Sequence, residues 1–147
     1  MLVGVPKEIK DSEYRVGLVP STVHELTLKG HRILVETDAG AGAGLLDDDY
    51  VSAGAKIAAT ADQVFAEADM IVKVKEPLAA ERKKLRPGQV LFTYLHLAPD
   101  AEQTHALLKS GATAIAYETV TSPSGGLPLL TPMSEVAGRS PSRRRWR

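Results

Sequence analysis

The chain has 147 residues, 44% of them apolar and 24% charged, and it contains no cysteine. That length supports one domain with a substantial core, and the missing cysteines exclude disulfides, thiolate nucleophiles and cysteine-type zinc sites and suit a cytoplasmic protein. The 18 basic and 18 acidic residues cancel, but four arginines fall in the last eight positions, leaving residues 1–139 with 14 basic against 18 acidic groups, about −4, which argues against nucleic acid as a partner.

The first residues lack the basic stretch and apolar run of a signal peptide, and no apolar run approaches membrane-spanning length. Leu2–Val5 reads as a short strand, and a polar loop runs from Pro6 to Leu18. A helix then opens near Pro20, with Ser21 or Thr22 as cap and Glu25 at capping-box spacing from Thr22, and ends at Gly30. Residues 31–37 form the next strand. Gly40, Gly42 and Gly44 lie between that strand and a helix, where a dinucleotide fingerprint would sit. Its third glycine would fall at Leu45, and Asp47, Asp48 and Asp49 would repel a pyrophosphate, so the stretch reads as a flexible turn. A helix over 48–53, the strand Lys56–Ala58 and a helix over 61–68 capped by Thr60 follow.

Residues 69–77 form the strand around which the chain is organised. Alternation sets Lys73 and Lys75 on one side and Met70, Val72 and Val74 on the other. Lys73 is expected to reach solvent. For Lys75 two positions stay open, solvent or the crevice at the carboxyl end of the strand. Residues 78–85 form a helical connection, and 90–99 a strand stopped by Pro99. Asp100 caps a helix to Lys109, Gly111 ends it, and 112–120 is a strand. After a turn at 122–126, residues 127–130 return as a short strand, and a helix capped by Thr131 or Ser134 begins near Met133. This alternation predicts an α/β fold, doubly wound, with a mostly parallel sheet and helices on both faces, as in flavodoxin-like and Rossmann-like domains. Residues 140–147 lack periodicity and are expected to form a disordered basic tail.

Arg15, Lys75 and His96 follow three different strands, so a parallel sheet would deliver all three to one edge. A guanidinium can hold a carboxylate through two hydrogen bonds, an ammonium can polarise a carbonyl or imine, and an imidazole can move protons near neutrality. The set suits a small 2-oxo or 2-amino acid. Each residue also has a plainer use: Arg15 as the partner of Glu13 in a surface ion pair, His96 as a structural histidine. Tyr94, Glu118 and Met133 are candidates to line the same crevice.

Val5-Pro6-Lys7-Glu8 with Glu13-Tyr14-Arg15-Val16, IVKVKEP at 71–77, YLHLAP at 94–99, AYETV at 116–120 and PMSEVAG at 132–138 resemble, in order and spacing, the amino-terminal part of the alanine dehydrogenases. The resemblance covers residues 1–139. It implies that Arg15 and Lys75 bind the carboxylate and oxo group of the substrate, that His96 is the acid–base, and that Tyr94, Glu118 and Met133 stand near the substrate. The implied reaction is the reversible, NAD-dependent deamination of L-alanine to pyruvate and ammonia. The related transhydrogenase alpha subunits usually lack the lysine and histidine found here as Lys75 and His96. The resemblance also implies a homo-oligomer and no membrane partner.

In that family the chain continues into an NAD-binding domain and then returns to the substrate domain, whereas the resemblance here stops at Arg139. The chain alone is therefore expected to bind no NAD and to show no turnover. A truncated or frameshifted reading frame accounts for the arginine-rich end, and a basic tail for an acidic partner is the rival account. Two further functions stay open: a non-catalytic binding module for 2-oxo or 2-amino acids, and a structural fragment that dimerises.

Overall fold

In the computed structural model, residues 1–139 are described, so the expected basic tail at 140–147 lies outside the described residues. Six strands, β1 (Leu2–Val5), β2 (Arg32–Glu36), β3 (Lys56–Ala58), β4 (Met70–Val72), β5 (Val90–Thr93) and β6 (Thr113–Ala116), form one sheet in the order β3-β2-β1-β4-β5-β6. Every neighbouring pair is parallel. This is the strand order of the Rossmann fold, with its reversal between β1 and β4, and the predicted α/β class holds.

Alternation along the strands divides the core in two. Val3, Val5, Ile33, Val35 and Val72 pack with Val23 of α1 (Pro20–Leu28) and with Tyr50 and Ala53 at α2 (Asp47–Ser52). Leu34, Ile71 and Leu91 pack on the other face with Val64 and Phe65 of α3 (Ala61–Glu67) and Leu107 of α5 (Ala101–Ser110). The split follows from right-handed crossovers: α1 and α2 serve steps in one direction along the sheet, and α3 must cross back from β3 to β4 on the opposite face. That return path runs against β1. A Cβ on Gly4 would lie 2.7 Å from both Ala68 Cβ and Val64 Cγ1, so β1 meets α3 only because residue 4 has no side chain. Two short helices complete the chain, α4 (Ala79–Arg82) and α6 (Thr131–Arg139). Among the described residues, no helix is long and apolar enough to cross a membrane.

Several local expectations hold. Thr60 and Asp100 accept hydrogen bonds from Gln63 N and Gln103 N at 3.3 and 2.8 Å, as capping predicts. Others are corrected. The cap of α1 is Val19, with Pro20 as the first helical residue, because the fixed φ of proline starts the helix before Ser21 or Thr22 can cap it. β4 stops at Val72, since the Val74 N–H goes to the Glu8 carboxylate at 2.7 Å instead of a strand partner. β5 stops at Thr93, and β6 gives way to a 3-10 turn at Tyr117–Thr119. Residues 127–130 fold as a turn, with Leu130 N donating to Leu127 O, and form no strand.

Lys73 is the largest departure. The alternation sets it on the Ile71 side of the sheet as expected, but α4 covers that side, and the lysine is 1% exposed. Its Nζ lies 2.7 Å from Glu81 Oε1 and 3.1 Å from Glu8 Oε2. The expectation that Lys73 reaches solvent was wrong because strand periodicity reports a face and not what covers it.

Candidate substrate site at the carboxyl edge of the sheet

The loop after β1 crosses the end of β4 on its way to α1. At the crossing, a Cβ on Gly17 would sit 2.5 Å from the Val72 carbonyl oxygen. The buried Tyr50 hydroxyl donates to Leu18 O at 2.9 Å and ties down the next residue. These contacts place Arg15 over the edge where β4 and β5 end.

Arg15 grips Glu13 with two prongs: Nε donates to Oε1 at 2.8 Å and Nη2 to Oε2 at 2.6 Å. The Arg15 backbone N–H also donates to Oε1 at 3.0 Å. These bonds hold the Glu13 carboxyl below the usual carboxylate range, and Glu13 in turn raises the guanidinium above its ordinary value. The plainer reading of Arg15 as the partner of Glu13 is therefore present in the molecule. It does not exhaust the side chain, because a guanidinium carries five N–H donors and Glu13 takes two. Nη1 lies 3.6 Å from the Met133 sulfur, at the edge of the same space.

Lys75 is half-buried and has no ion-pair partner among the described residues. Its charge helps to lower both Glu13 and Glu76, so it stands near the Arg15 loop. Its carbonyl accepts from Thr93 Oγ1 at 2.8 Å, which fixes it to the end of β5. Lys75 lies just past the end of β4, and its side chain is not among those that line the groove on the Val72 and Val74 side.

Tyr94 and His96 follow β5. Their rings stack with centroids 6.3 Å apart and planes inclined by 19°. Tyr94 also meets Tyr117 edge-on at 4.9 Å, and its hydroxyl donates to Leu129 O at 2.6 Å. Burial pushes the Tyr117 phenol well above its ordinary value, so it stays neutral and serves as an apolar wall. His96 is exposed and has φ +49°, a backbone conformation uncommon outside glycine. The Glu118 carboxylate accepts from the N–H groups of Leu95 and His96.

Arg15, Tyr94 and Met133 line a groove of about 720 Å³. Its walls are the apolar side chains Met70, Val72, Val74 and Phe92 on the sheet and Val19 and Leu26 beside α1. The sequence did not reveal Tyr117 as a wall or Glu8 and Glu81 as the partners of Lys73. The spacing of Glu13 and Arg15 did carry a readable signal.

Among the described residues, no group of three or more His, Asp and Glu could hold a metal ion. The glycine turn does not fit a pyrophosphate cradle. The N–H groups of Ala41, Ala43 and Gly44 donate to Asp38 O, Gly40 O and Ala41 O within the turn, and the Asp47 carboxylate stands beside it, accepting from Thr37 Oγ1 at 2.7 Å and from Asp38 N at 2.9 Å.

Residues 4–137 match the family described as alanine dehydrogenase/PNT, N-terminal domain. An alanine dehydrogenase of Mycobacterium tuberculosis is 57% identical over 139 residues, covering 95% of this chain and 38% of that protein. One of Bacillus subtilis is 58% identical, covering 95% and 36%. A solved L-alanine dehydrogenase superposes with a TM-score of 0.91 at 55% identity, over 95% of this chain and 38% of that one. The transhydrogenase of Sinorhizobium meliloti superposes less closely, with a TM-score of 0.76 at 32% identity over 80% of this chain. The chain thus spans well under half the length of these relatives, and it belongs to the alanine dehydrogenase/PNT amino-terminal domain family.

Proposed function

We propose that residues 1–139 are the substrate domain of an NAD-dependent L-alanine dehydrogenase, interconverting L-alanine with pyruvate and ammonia. The observation that supports this reading is that Arg15 and Tyr94 line one groove beside the strand-order reversal between β1 and β4, with Lys75 and His96 on the segments that follow β4 and β5. In this reading the Arg15 donors not taken by Glu13 or by the Met133 sulfur bind the substrate carboxylate. The Lys75 ammonium, short of partners and partly desolvated, faces the C2 oxygen or nitrogen and stabilises negative charge there. The His96 imidazole carries protons between C2 substituents and water. Met133 and Tyr94 bound the space left for a small side chain.

NAD would be held by chain beyond these residues, as the length of the relatives suggests. The 147 residues alone are accordingly expected to bind ligand without turnover, because hydride transfer needs a nicotinamide held against the substrate carbon.

The test is calorimetric titration of the purified chain with pyruvate, with and without NADH, beside an Arg15→Ala control. Binding that is lost in the control and indifferent to NADH supports the reading. Binding unchanged by Arg15→Ala, or NADH formation from alanine by the chain alone, overturns it. A second reading, a fragment that self-associates, is favoured by the open apolar walls of the groove. Sedimentation that depends on protein concentration, without pyruvate binding, would select it.

A further inference from the structure

The segment that carries His96 is held from both sides. Glu118 Oε1 accepts from Leu95 N at 3.1 Å and from His96 N at 2.8 Å, and Oε2 approaches Leu95 N at 3.3 Å. One oxygen thus collects two successive backbone N–H groups. The second belongs to His96, which stands in the left-handed region at φ +49°. From the other side, Gln103 of α5 donates through Nε2 to Leu95 O at 2.5 Å. Gln103 is fully buried, and its own N–H is bound by Asp100 Oδ1 at 2.8 Å. The peptide before His96 is therefore fixed at both its carbonyl and its N–H.

A histidine gains nothing from positive φ by itself, since its Cβ meets the backbone there. The conformation persists because the surrounding bonds impose it, and such strain gathers where a side chain has to be aimed. The carboxylate of Glu118 faces inward onto backbone dipoles, so it is spent on holding the loop and is not offered to a ligand.

We propose that Glu118 is a positioning residue: it binds the backbone N–H groups of Leu95 and His96 to hold His96 in its left-handed turn, and so aims the imidazole along Tyr94 at the substrate. The consequence for ligand binding rests on the function proposed above; the conformational part stands on its own.

The test compares Glu118→Ala with Glu118→Gln in the full chain. Because Oε1 alone serves both N–H groups, a glutamine oxygen can replace it, whereas alanine cannot. NMR reads the backbone directly: a residue at positive φ gives a strong cross-peak between its own amide and Cα protons. That cross-peak at His96 is expected in the wild type and in Glu118→Gln, and it should be lost in Glu118→Ala. Pyruvate affinity should fall about tenfold or more in Glu118→Ala and stay within about threefold in Glu118→Gln. If both variants keep the cross-peak and lose affinity alike, Glu118 acts on ligand by its charge and the proposal is overturned.

Should Glu118→Ala fail to fold, the pair Glu118→Ala with His96→Gly decides the matter. Glycine accepts the left-handed turn without strain, so the double variant should fold. Its failure to do so would show that Glu118 supports something other than residue 96, and would also overturn the proposal. A wild type that shows the cross-peak but binds no pyruvate refutes the alanine dehydrogenase reading and leaves the positioning role standing.

Discussion

Lys73 Nζ lies 2.7 Å from Glu81 Oε1 inside the protein, both side chains almost wholly withdrawn from solvent. Glu8 completes the group at 3.1 Å and also accepts the Val74 N–H, and Glu81 Oε2 accepts from Leu78 N at 2.9 Å. One lysine thus joins the loop after β1, the end of β4 and the start of α4. Lys75, two residues on, has no ion-pair partner among the described residues.

The two lysines should therefore fail differently. Lys73→Met leaves two carboxylates buried without their cation and should cost about 3–5 kcal/mol, read as a lower urea midpoint. Lys75→Met removes no buried partner and should change stability by less than about 1 kcal/mol while abolishing pyruvate binding. Equal losses of stability in the two variants would refute this division of labour.

Glu13 gives the stability of the fold an acid limb. Its hydrogen bonds to Arg15 lower its carboxyl in the folded chain below the unfolded value. The folded state therefore holds this proton less tightly than the unfolded state does, and the pair stabilises the protein above the unfolded carboxylate range. That contribution is lost as pH falls through the folded value. Glu13→Gln should flatten the decline in melting temperature across the acid range, and a slope identical to wild type would show that the pair contributes nothing.

Tyr50 adds an alkaline limb of opposite origin. Burial, aided by the charges of Asp49 and Asp47, pushes its phenol up to about 12. The unfolded phenol ionises near 10, so stability should fall as pH rises from about 10 toward 12. Tyr50→Phe should remove that fall. It also leaves Leu18 O without its donor, at a cost of about 1–3 kcal/mol near neutrality. Spectrophotometric titration checks the first effect and thermal melting the second.

The sequence was most informative where local rules decide. Alternating apolar residues and helix caps at Thr60 and Asp100 gave the parallel α/β architecture, and with it the carboxyl edge that precedes Arg15, Lys75 and His96 in the chain. It failed where tertiary partners decide. Nothing local separates Lys73 from Lys75; a helix eight residues further on does, by supplying Glu81. Strand lengths were overestimated after Val72 and Thr93 because side-chain carboxylates, Glu8 and Glu118, capture backbone N–H groups that a strand would have used. Those captures end the strands at the candidate site, which is why local pattern and structure disagree there.

Gly17 offers a test of how finely the Arg15 loop is placed. A methyl group there would meet the Val72 carbonyl oxygen at 2.5 Å and Lys73 Cα at 3.2 Å. Both are backbone atoms of the sheet and cannot swing aside, so the loop itself must move. Gly17→Ala should cost about 1–3 kcal/mol by overpacking. Because Arg15 lies two residues upstream on the same segment, the displacement should also withdraw its guanidinium and weaken pyruvate binding far beyond what the stability loss requires. Gly30→Ala serves as the comparison: its added Cβ meets nothing within 4 Å, although its φ of +82° carries its own strain. That variant should lose stability while pyruvate affinity stays at the wild-type value. If Gly17→Ala behaved the same way, the contact between the loop and β4 would support the fold without aiming Arg15.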